Sequence, residues 1–222
     1  MSYTIREMPA QIAPEKIDKY LRVETATVGH RRFMGFMDPA IQCLLPGKRV
    51  AGTAVTLALP GQDTTLFHHA IGLIRPGDFL CIDRLGDQRH ACLGGGVAAA
   101  LKAAGCVGVA IDGLATDLPE IEEYDLPVWC RGLSPITTRL YDVGGALNVP
   151  VACGGAVVMP GDVVIADFSG VLVIPPEEAE AEADWALDYQ DADYALRLRL
   201  LGGAKLGEES GASALVLGRD AG

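Results

Sequence analysis

The chain has 222 residues, half of them hydrophobic, and a formal net charge of −11. This length suits one domain, and the acidic balance argues against nonspecific nucleic-acid binding, which needs a basic surface. No apolar run approaches the roughly 20 residues of a membrane span, and the amino terminus lacks the apolar stretch of a signal peptide. We therefore expect a cytoplasmic protein that binds neither nucleic acid nor a membrane.

The first part of the chain alternates helical and strand-like segments. Helical spacing or caps predict helices, and β-branched or continuous apolar runs predict strands. In chain order these are a helix at 13–22, a strand at 48–59, a helix at 64–74, a strand at 78–83, a glycine loop and alanine-rich helix at 94–105, a strand at 107–112, a helix at 118–125 and a strand at 126–132. This alternation predicts a parallel α/β unit.

The part after Pro135 is rich in short apolar runs split by glycines. Residues 160–167, PGDVVIAD, resemble residues 76–83, PGDFLCID, and we interpret both as a turn that leads into a strand. A long helix is predicted at about 176–201, because proline and acids stand at its start and arginines at its end. No linker interrupts the chain, so we predict a single domain over residues 1–222.

The six cysteines form no CxxC pair, which argues against a zinc ribbon. Most lie in apolar, strand-like contexts and are expected to be small buried side chains. A catalytic thiol is the less favoured alternative, and its nearest pair in the sequence is Cys92 with His90.

Two stretches contain candidate binding groups. Gly94, Gly95 and Gly96 precede a helix, whose first N–H groups can hold a carboxylate or phosphate, although a plain turn remains the alternative. Asp112 and Asp117 bracket the loop DGLATD after a buried strand, where α/β folds place ligands. We interpret Asp112 as a turn cap. Asp117 is either the N-cap of the next helix, with Glu120 completing a capping box, or a ligand for Mg²⁺ or Mn²⁺.

Histidines and arginines supply further candidates. His68 and His69 lie within a predicted helix without a carboxylate at metal-site spacing, so packing or surface roles are favoured. Arg131 and Arg139 flank the loop GLSPITT, where an arginine can bind a carboxylate through two hydrogen bonds. A solvated surface position is the alternative for both arginines.

Four consecutive segments resemble the RraA-like family. They are RPGDFLCID, GGGVAAALKAAGCVGVAIDGLATD, LPVWCRGLSP and VPVACGGAVVMPGDVVIADFSGVLVIP, within a core of about 46–175. That family includes 4-hydroxy-4-methyl-2-oxoglutarate aldolases and regulators of ribonuclease E. The resemblance implies an α/β fold, a swivelling β/β/α domain like the phosphohistidine domain, with a long C-terminal helix. It also implies homotrimers or hexamers (dimers of trimers) with sites between subunits.

The family's aldolases are metal-dependent lyases that release pyruvate from 2-oxo acids, and often decarboxylate oxaloacetate. Their motif Asp-Gly-x-x-Arg-Asp supplies the metal ligand, here Asp117, and a substrate-binding arginine, whose place holds Thr116. Their glycine loop carries an acid after its first glycine. Here Gly94 matches that glycine, Gly95 replaces the acid, and Gly96 and Val97 match the residues whose backbone binds the substrate carboxylate. For a glutamate that the neighbouring subunit supplies from its closing helix, Asp191 or Asp193 is the nearest candidate.

Two functions follow as hypotheses. The first is a lyase that uses Mg²⁺ or Mn²⁺ on a small 2-oxo or hydroxy carboxylic acid. Thr116 and Asp117 would be its catalytic residues, Asp117 its metal ligand, and residues 94–97, Thr116 and Arg139 its substrate-binding residues. The second is a non-catalytic, ring-shaped regulator that binds another protein.

Overall fold

The computed structural model describes residues 2–219, which contain twelve strands and eight helices. The strands are β1 (Tyr3–Ile5), β2 (Gln42–Cys43), β3 (Val50–Ala58), β4 (Asp78–Asp83), β5 (Ala91–Leu93), β6 (Gly108–Ala115), β7 (Val128–Leu133), β8 (Gly145–Leu147), β9 (Val151–Cys153), β10 (Ala156–Val158), β11 (Val163–Asp167) and β12 (Gly170–Ile174). The helices are α1 (Pro14–Tyr20), α2 (Thr25–Val28), α3 (Thr65–Ile71), α4 (Gly95–Ala103), α5 (Leu118–Glu123), α6 (Pro176–Leu201), α7 (Leu206–Glu209) and α8 (Ala212–Leu217).

The centre of the molecule is a parallel sheet. Strands β3, β4, β6 and β7 lie side by side in parallel register, and α3, α4 and α5 form the crossovers between them. Strand β11 pairs antiparallel with β3 along one edge and antiparallel with β12 along its other edge. The predicted parallel α/β unit is therefore confirmed, with an antiparallel extension built from the β-rich part of the chain.

Both faces of the sheet are covered, which explains why its strands are apolar throughout. On one face, Leu66 and Phe67 of α3, Leu101 of α4 and Ile121 of α5 pack against the strands. On the other face, the hairpin of β9 and β10 joins a second cluster around Trp129. The mixed α/β class is as predicted, whereas the likeness to the phosphohistidine domain stays a prediction.

The long C-terminal helix is also confirmed. Its first half buries Ala179, Ala183 and Ala186 against a third cluster beneath β11 and β12, and its second half exposes Leu198 and Leu201. Within residues 2–219, every helix is too short or too polar to cross a bilayer.

The two Pro-Gly-Asp segments use the same turn. Gly77 and Gly161 have φ values of 92° and 96°, which favour glycine. The carboxylate of Asp78 accepts the N–H of Arg75 at 2.8 Å, and that of Asp162 accepts the N–H of Met159 at 2.8 Å. Each aspartate thus closes the turn three residues back, and a strand begins at Asp78 and directly after Asp162.

The boundary predicted after Asp112 is wrong. Strand β6 continues to Ala115, because Leu114 and Ala115 pair with Gly132 and Leu133 across a bulge that follows Ile111. The Asp112 carboxylate consequently lies within the strand and does not cap its own turn. It accepts the N–H of Gly154 at 3.0 Å, in the turn between β9 and β10.

Candidate active site

One cavity of about 550 Å³ contains all seven residues that the sequence nominates for the site. They are Gly94, Gly95, Gly96, Val97, Thr116, Asp117 and Arg139. The cavity lies where β5 and β6 end, between α3 and the start of α4. Its volume suits a small organic ligand.

The Asp117 side chain caps a helix, but not its own. Asp117 occupies the N-cap position of α5 with φ 56°, and its carboxylate makes no hydrogen bond to that helix. Instead, Oδ2 accepts the N–H of Gly95, the first residue of α4, at 2.9 Å. The capping box with Glu120 is therefore wrong. The carboxylate remains exposed toward the cavity, and the Thr116 hydroxyl donates to its other oxygen at 3.2 Å.

The glycine loop is required by this close approach. A Cβ on Gly94 would lie 2.6 Å from Asp117 Oδ2, and one on Gly95 would lie 3.0 Å from Glu120 Cβ. A Cβ on Gly96 would have no neighbour within 4 Å. The first two glycines thus let α4 start against the Asp117 loop, whereas Gly96 faces open space.

The two candidate arginines have different environments. Arg131 donates through Nε to Asp112 at 2.5 Å and through Nη1 to Asp38 at 2.9 Å, and the Asp112 hydrogen bond raises the pKa of Arg131. Arg139 lines the cavity, and within residues 2–219 its exposed guanidinium makes neither a salt bridge nor a hydrogen bond. Arg139 is consequently the arginine that is free to bind an anionic ligand.

A buried carboxylate fixes the segment that carries Arg139. Asp63 accepts the N–H and hydroxyl of Thr65 and the N–H groups of Tyr141 and Val143, at 2.6 to 3.0 Å. Burial raises the pKa of Asp63, but these four hydrogen bonds outweigh that effect and lower the pKa to about 2. Arg139 is also tied to the start of α3, since its carbonyl accepts the N–H of Thr64 at 3.0 Å.

The sequence alone did not identify His68 as a cavity residue. His68 lines the main cavity, whereas His69 lines a second one of about 320 Å³ with Tyr3 and Asp142. The signal was the spacing of the N-cap residue Thr64, His68 and Ile71, which places all three on the same side of α3.

Five of the six cysteines are buried, as expected for small hydrophobic side chains, and Cys43 is half-buried. Cys92 lines the cavity, and burial raises the pKa of its thiol to about 11. Its suggested partner His90 pairs with Asp87 instead, with His90 Nδ1 2.7 Å from Asp87 Oδ2. The structure contains no Cys92–His90 dyad, so the less favoured thiol interpretation loses its only candidate base.

The donor set of the cavity fits only certain metals. In the described part of the chain, no three His, Cys, Asp or Glu side chains cluster as metal ligands, and Asp117 is the acid that lines the cavity. A zinc site typically needs three or four protein ligands. Mg²⁺ keeps several waters and often binds through one or two carboxylates plus substrate oxygens, which agrees with a single exposed carboxylate.

Comparisons with known proteins agree with this architecture. A family model described as RraA-like, Aldolase/RraA, matches residues 24–173. A protein of Halalkalibacterium halodurans with the provisional name 4-hydroxy-4-methyl-2-oxoglutarate aldolase is 32% identical over 144 residues, which are 65% of this chain and 68% of that protein.

Two solved structures are similar. Streptomyces coelicolor RraAS2, described as an unusual member of the RNase ES inhibitor RraA protein family, has a TM-score of 0.76 and 30% identity, over 86% of this chain and 98% of that one. The RNA-processing inhibitor RraA of Thermus thermophilis has a TM-score of 0.58 and 27% identity, over 63% and 84% of the two chains. With a family model that matches well over half of its residues, the chain belongs to the RraA-like family.

Proposed function

We propose that the protein is a lyase that uses Mg²⁺ or Mn²⁺ to cleave a carbon–carbon bond in a small 2-oxo or hydroxy carboxylic acid. The observation that carries the proposal is the single cavity in which an exposed carboxylate, a helix start and an unpaired arginine meet. The aldolase name of the Halalkalibacterium halodurans relative supports the reaction class.

Asp117 is the residue that would hold the metal. A divalent ion there would polarise the 2-oxo group and stabilise the negative charge that develops during cleavage. The hydrogen bond from Gly95 fixes the Asp117 carboxylate against the start of α4, and the Thr116 hydroxyl donates to its other oxygen. Thr116 thereby orients Asp117 and offers an oxygen to the substrate.

The substrate carboxylate would bind between α4 and Arg139. The N–H groups in the first turn of a helix have no acceptor within the helix, which leaves those of Gly96 and Val97 available for a carboxylate. Arg139 would supply the bidentate hydrogen bonds that an arginine at the position of Thr116 provides in the family's aldolases. Because Arg139 belongs to a different segment, we expect a substrate whose length differs from theirs.

A turnover assay tests the proposal. Pyruvate release would be followed from a panel that includes 4-hydroxy-4-methyl-2-oxoglutarate and oxaloacetate, with Mg²⁺ or Mn²⁺ and with EDTA. We expect metal-dependent turnover that Asp117→Ala abolishes, while Glu122→Gln removes an exposed acid of α5 outside the cavity and retains it. An absence of turnover across the panel would refute the lyase, and full activity of Asp117→Ala would refute the metal site.

We further propose a homotrimer or a dimer of trimers, with the site completed by an acid on the neighbour's α6. Asp193 forms a salt bridge with Arg197 of its own helix at 3.1 Å, whereas the described side chains provide no such partner for Asp191. Asp191 is therefore the better candidate for the acid that completes the neighbour's site. Light scattering is expected to give three or six times the subunit mass of 23.3 kDa. A monomer would contradict this assembly.

A protein-binding regulator is the second candidate function, because the Streptomyces coelicolor structure at 30% identity is described as belonging to an RNase inhibitor family. In that case the chain would bind a ribonuclease of the E type and slow its cleavage of RNA. Asp117→Ala would inhibit as well as the wild type, since the cavity would not take part. Metal-dependent turnover without ribonuclease inhibition would refute this candidate.

A further inference from the structure

The lining of the cavity includes two polar side chains to which no function has been assigned so far. Thr64, the N-cap residue of α3, lies one turn before His68 on the same side of the helix, and both residues line the cavity. The Thr64 hydroxyl is buried, and no hydrogen-bond partner for it exists among residues 2–219. A buried polar group without a protein partner points to a ligand or water that satisfies it.

His68 is the imidazole among the side chains that line the cavity. Of the other ionisable side chains in the lining, Arg139 is assigned to the substrate carboxylate, Asp117 is the proposed metal ligand, and burial raises the pKa of the Cys92 thiol to about 11. Histidine is the residue type with an ordinary pKa of about 6.5.

The elements packed against α3 contribute no other side chain that could take over the proton transfer. Helix α4 carries one charged residue, Lys102, whose ammonium donates to the Asp125 carbonyl at 2.9 Å, and β8 carries none. On the side of α3 itself, His69 faces the second cavity, and Asp63 is held ionised by its hydrogen bonds.

We propose that His68 is the catalytic acid–base of this cavity and that the Thr64 hydroxyl binds a substrate oxygen beside it. The proposal rests on the lyase function above. It assigns to α3 the proton transfer for which Gly95, where the family's aldolases carry an acid, has no side chain.

His68 alone can accept and return the proton that the reaction moves. The neutral imidazole takes the proton of the hydroxyl on C4 of the substrate, and the O–H electron pair forms the new C4 carbonyl. The C3–C4 bond breaks, and its electron pair passes into the enolate of the 2-oxo fragment. The imidazolium then returns the same proton to C3, which becomes the methyl group of pyruvate, and His68 is neutral again.

The pH profile of two neighbouring histidine variants tests this role. Wild-type kcat/KM for 4-hydroxy-4-methyl-2-oxoglutarate with Mg²⁺ is expected to rise with pH through the titration of an imidazole and then level off. His68→Gln should lower kcat/KM by about 10²- to 10⁴-fold and remove that rising limb. The matched control His69→Gln should stay within about twofold of wild type with the limb intact.

Thr64→Val, which keeps the shape and removes the hydroxyl, should raise KM and leave the pH limb in place. An active wild type with an unchanged pH profile in His68→Gln would overturn this inference alone. Equal losses in His68→Gln and His69→Gln would also overturn it. A wild type that releases no pyruvate from the panel would overturn the lyase function and this inference with it.

Discussion

The hydrogen bond between Asp117 and Gly95 predicts opposite effects for two alanine substitutions in the glycine loop. A Cβ at position 94 would lie 2.6 Å from Asp117 Oδ2, closer than real contacts of this kind. Gly94 has φ −133° and ψ −169°, so the backbone itself accepts alanine without strain. In Gly94→Ala the carboxylate must therefore turn away from the Gly95 N–H.

The change in unfolding free energy of each variant follows from these contacts. A hydrogen bond to a charged acceptor contributes about 1.5–3 kcal/mol, and we take about 1 kcal/mol because Asp117 is exposed. Alanine is also a poorer N-cap residue than glycine. Gly94→Ala should therefore lose about 1–2 kcal/mol of unfolding free energy. Gly96→Ala should gain about 0.5–1 kcal/mol, since its Cβ meets nothing within 4 Å inside a helix.

Urea unfolding of both variants beside wild type measures this difference. We expect the two urea midpoints to move in opposite directions from wild type at equal m-values. The unfolding free energies of the two variants should then differ by about 2 kcal/mol. The loss of the carboxylate position should also weaken Mg²⁺ binding in Gly94→Ala. Equal stability of the two variants would refute the proposed role of Asp117 as the cap of α4.

Three further predictions concern other charged and titratable groups. Because Asp63 has its pKa lowered to about 2, it stabilises the fold above about pH 4, and this contribution disappears as the pH falls toward 2. Asp63→Asn should therefore lose about 2 kcal/mol at pH 7 and flatten the acid limb of the stability curve; an unchanged limb would contradict the assignment. Arg139→Gln should weaken oxalate binding about 10- to 100-fold in calorimetry and leave the urea midpoint unchanged. Arg131→Gln should instead lower the urea midpoint, because it breaks the pairs with Asp112 and Asp38. The reverse pattern would exchange the roles of the two arginines. The Cys92 thiol should react with iodoacetamide at pH 8 only after unfolding, as mass spectrometry of the labelled peptide would report, since burial raises its pKa to about 11; rapid labelling of the native protein would contradict this.

Local patterns in the sequence were sufficient for most of the architecture. The alternation of apolar periods predicted the helices and strands of the parallel unit, and the prolines, acids and arginines at its ends predicted α6. The two Pro-Gly-Asp turns were equally readable, because each is closed by contacts within three residues. The motif DGLATD and the glycine loop also indicated the family and the residues that line one cavity.

The sequence could not decide the choices between similar neighbours. His68 and His69 are adjacent, and only the placement of α3 decides which one lines the main cavity. Arg131 and Arg139 are also equivalent candidates in sequence until Asp38 and Asp112 are found beside the first.

Contacts between distant residues were likewise beyond local reasoning. The Asp117 carboxylate reaches Gly95, 22 residues away, rather than the helix that it precedes. Asp112 reaches Gly154, 42 residues away, and β6 is extended by its pairing with β7. Periodicity and turn chemistry are local properties that a sequence displays directly. The partner of a side chain depends on which elements pack together, and in this protein only the tertiary structure decided it.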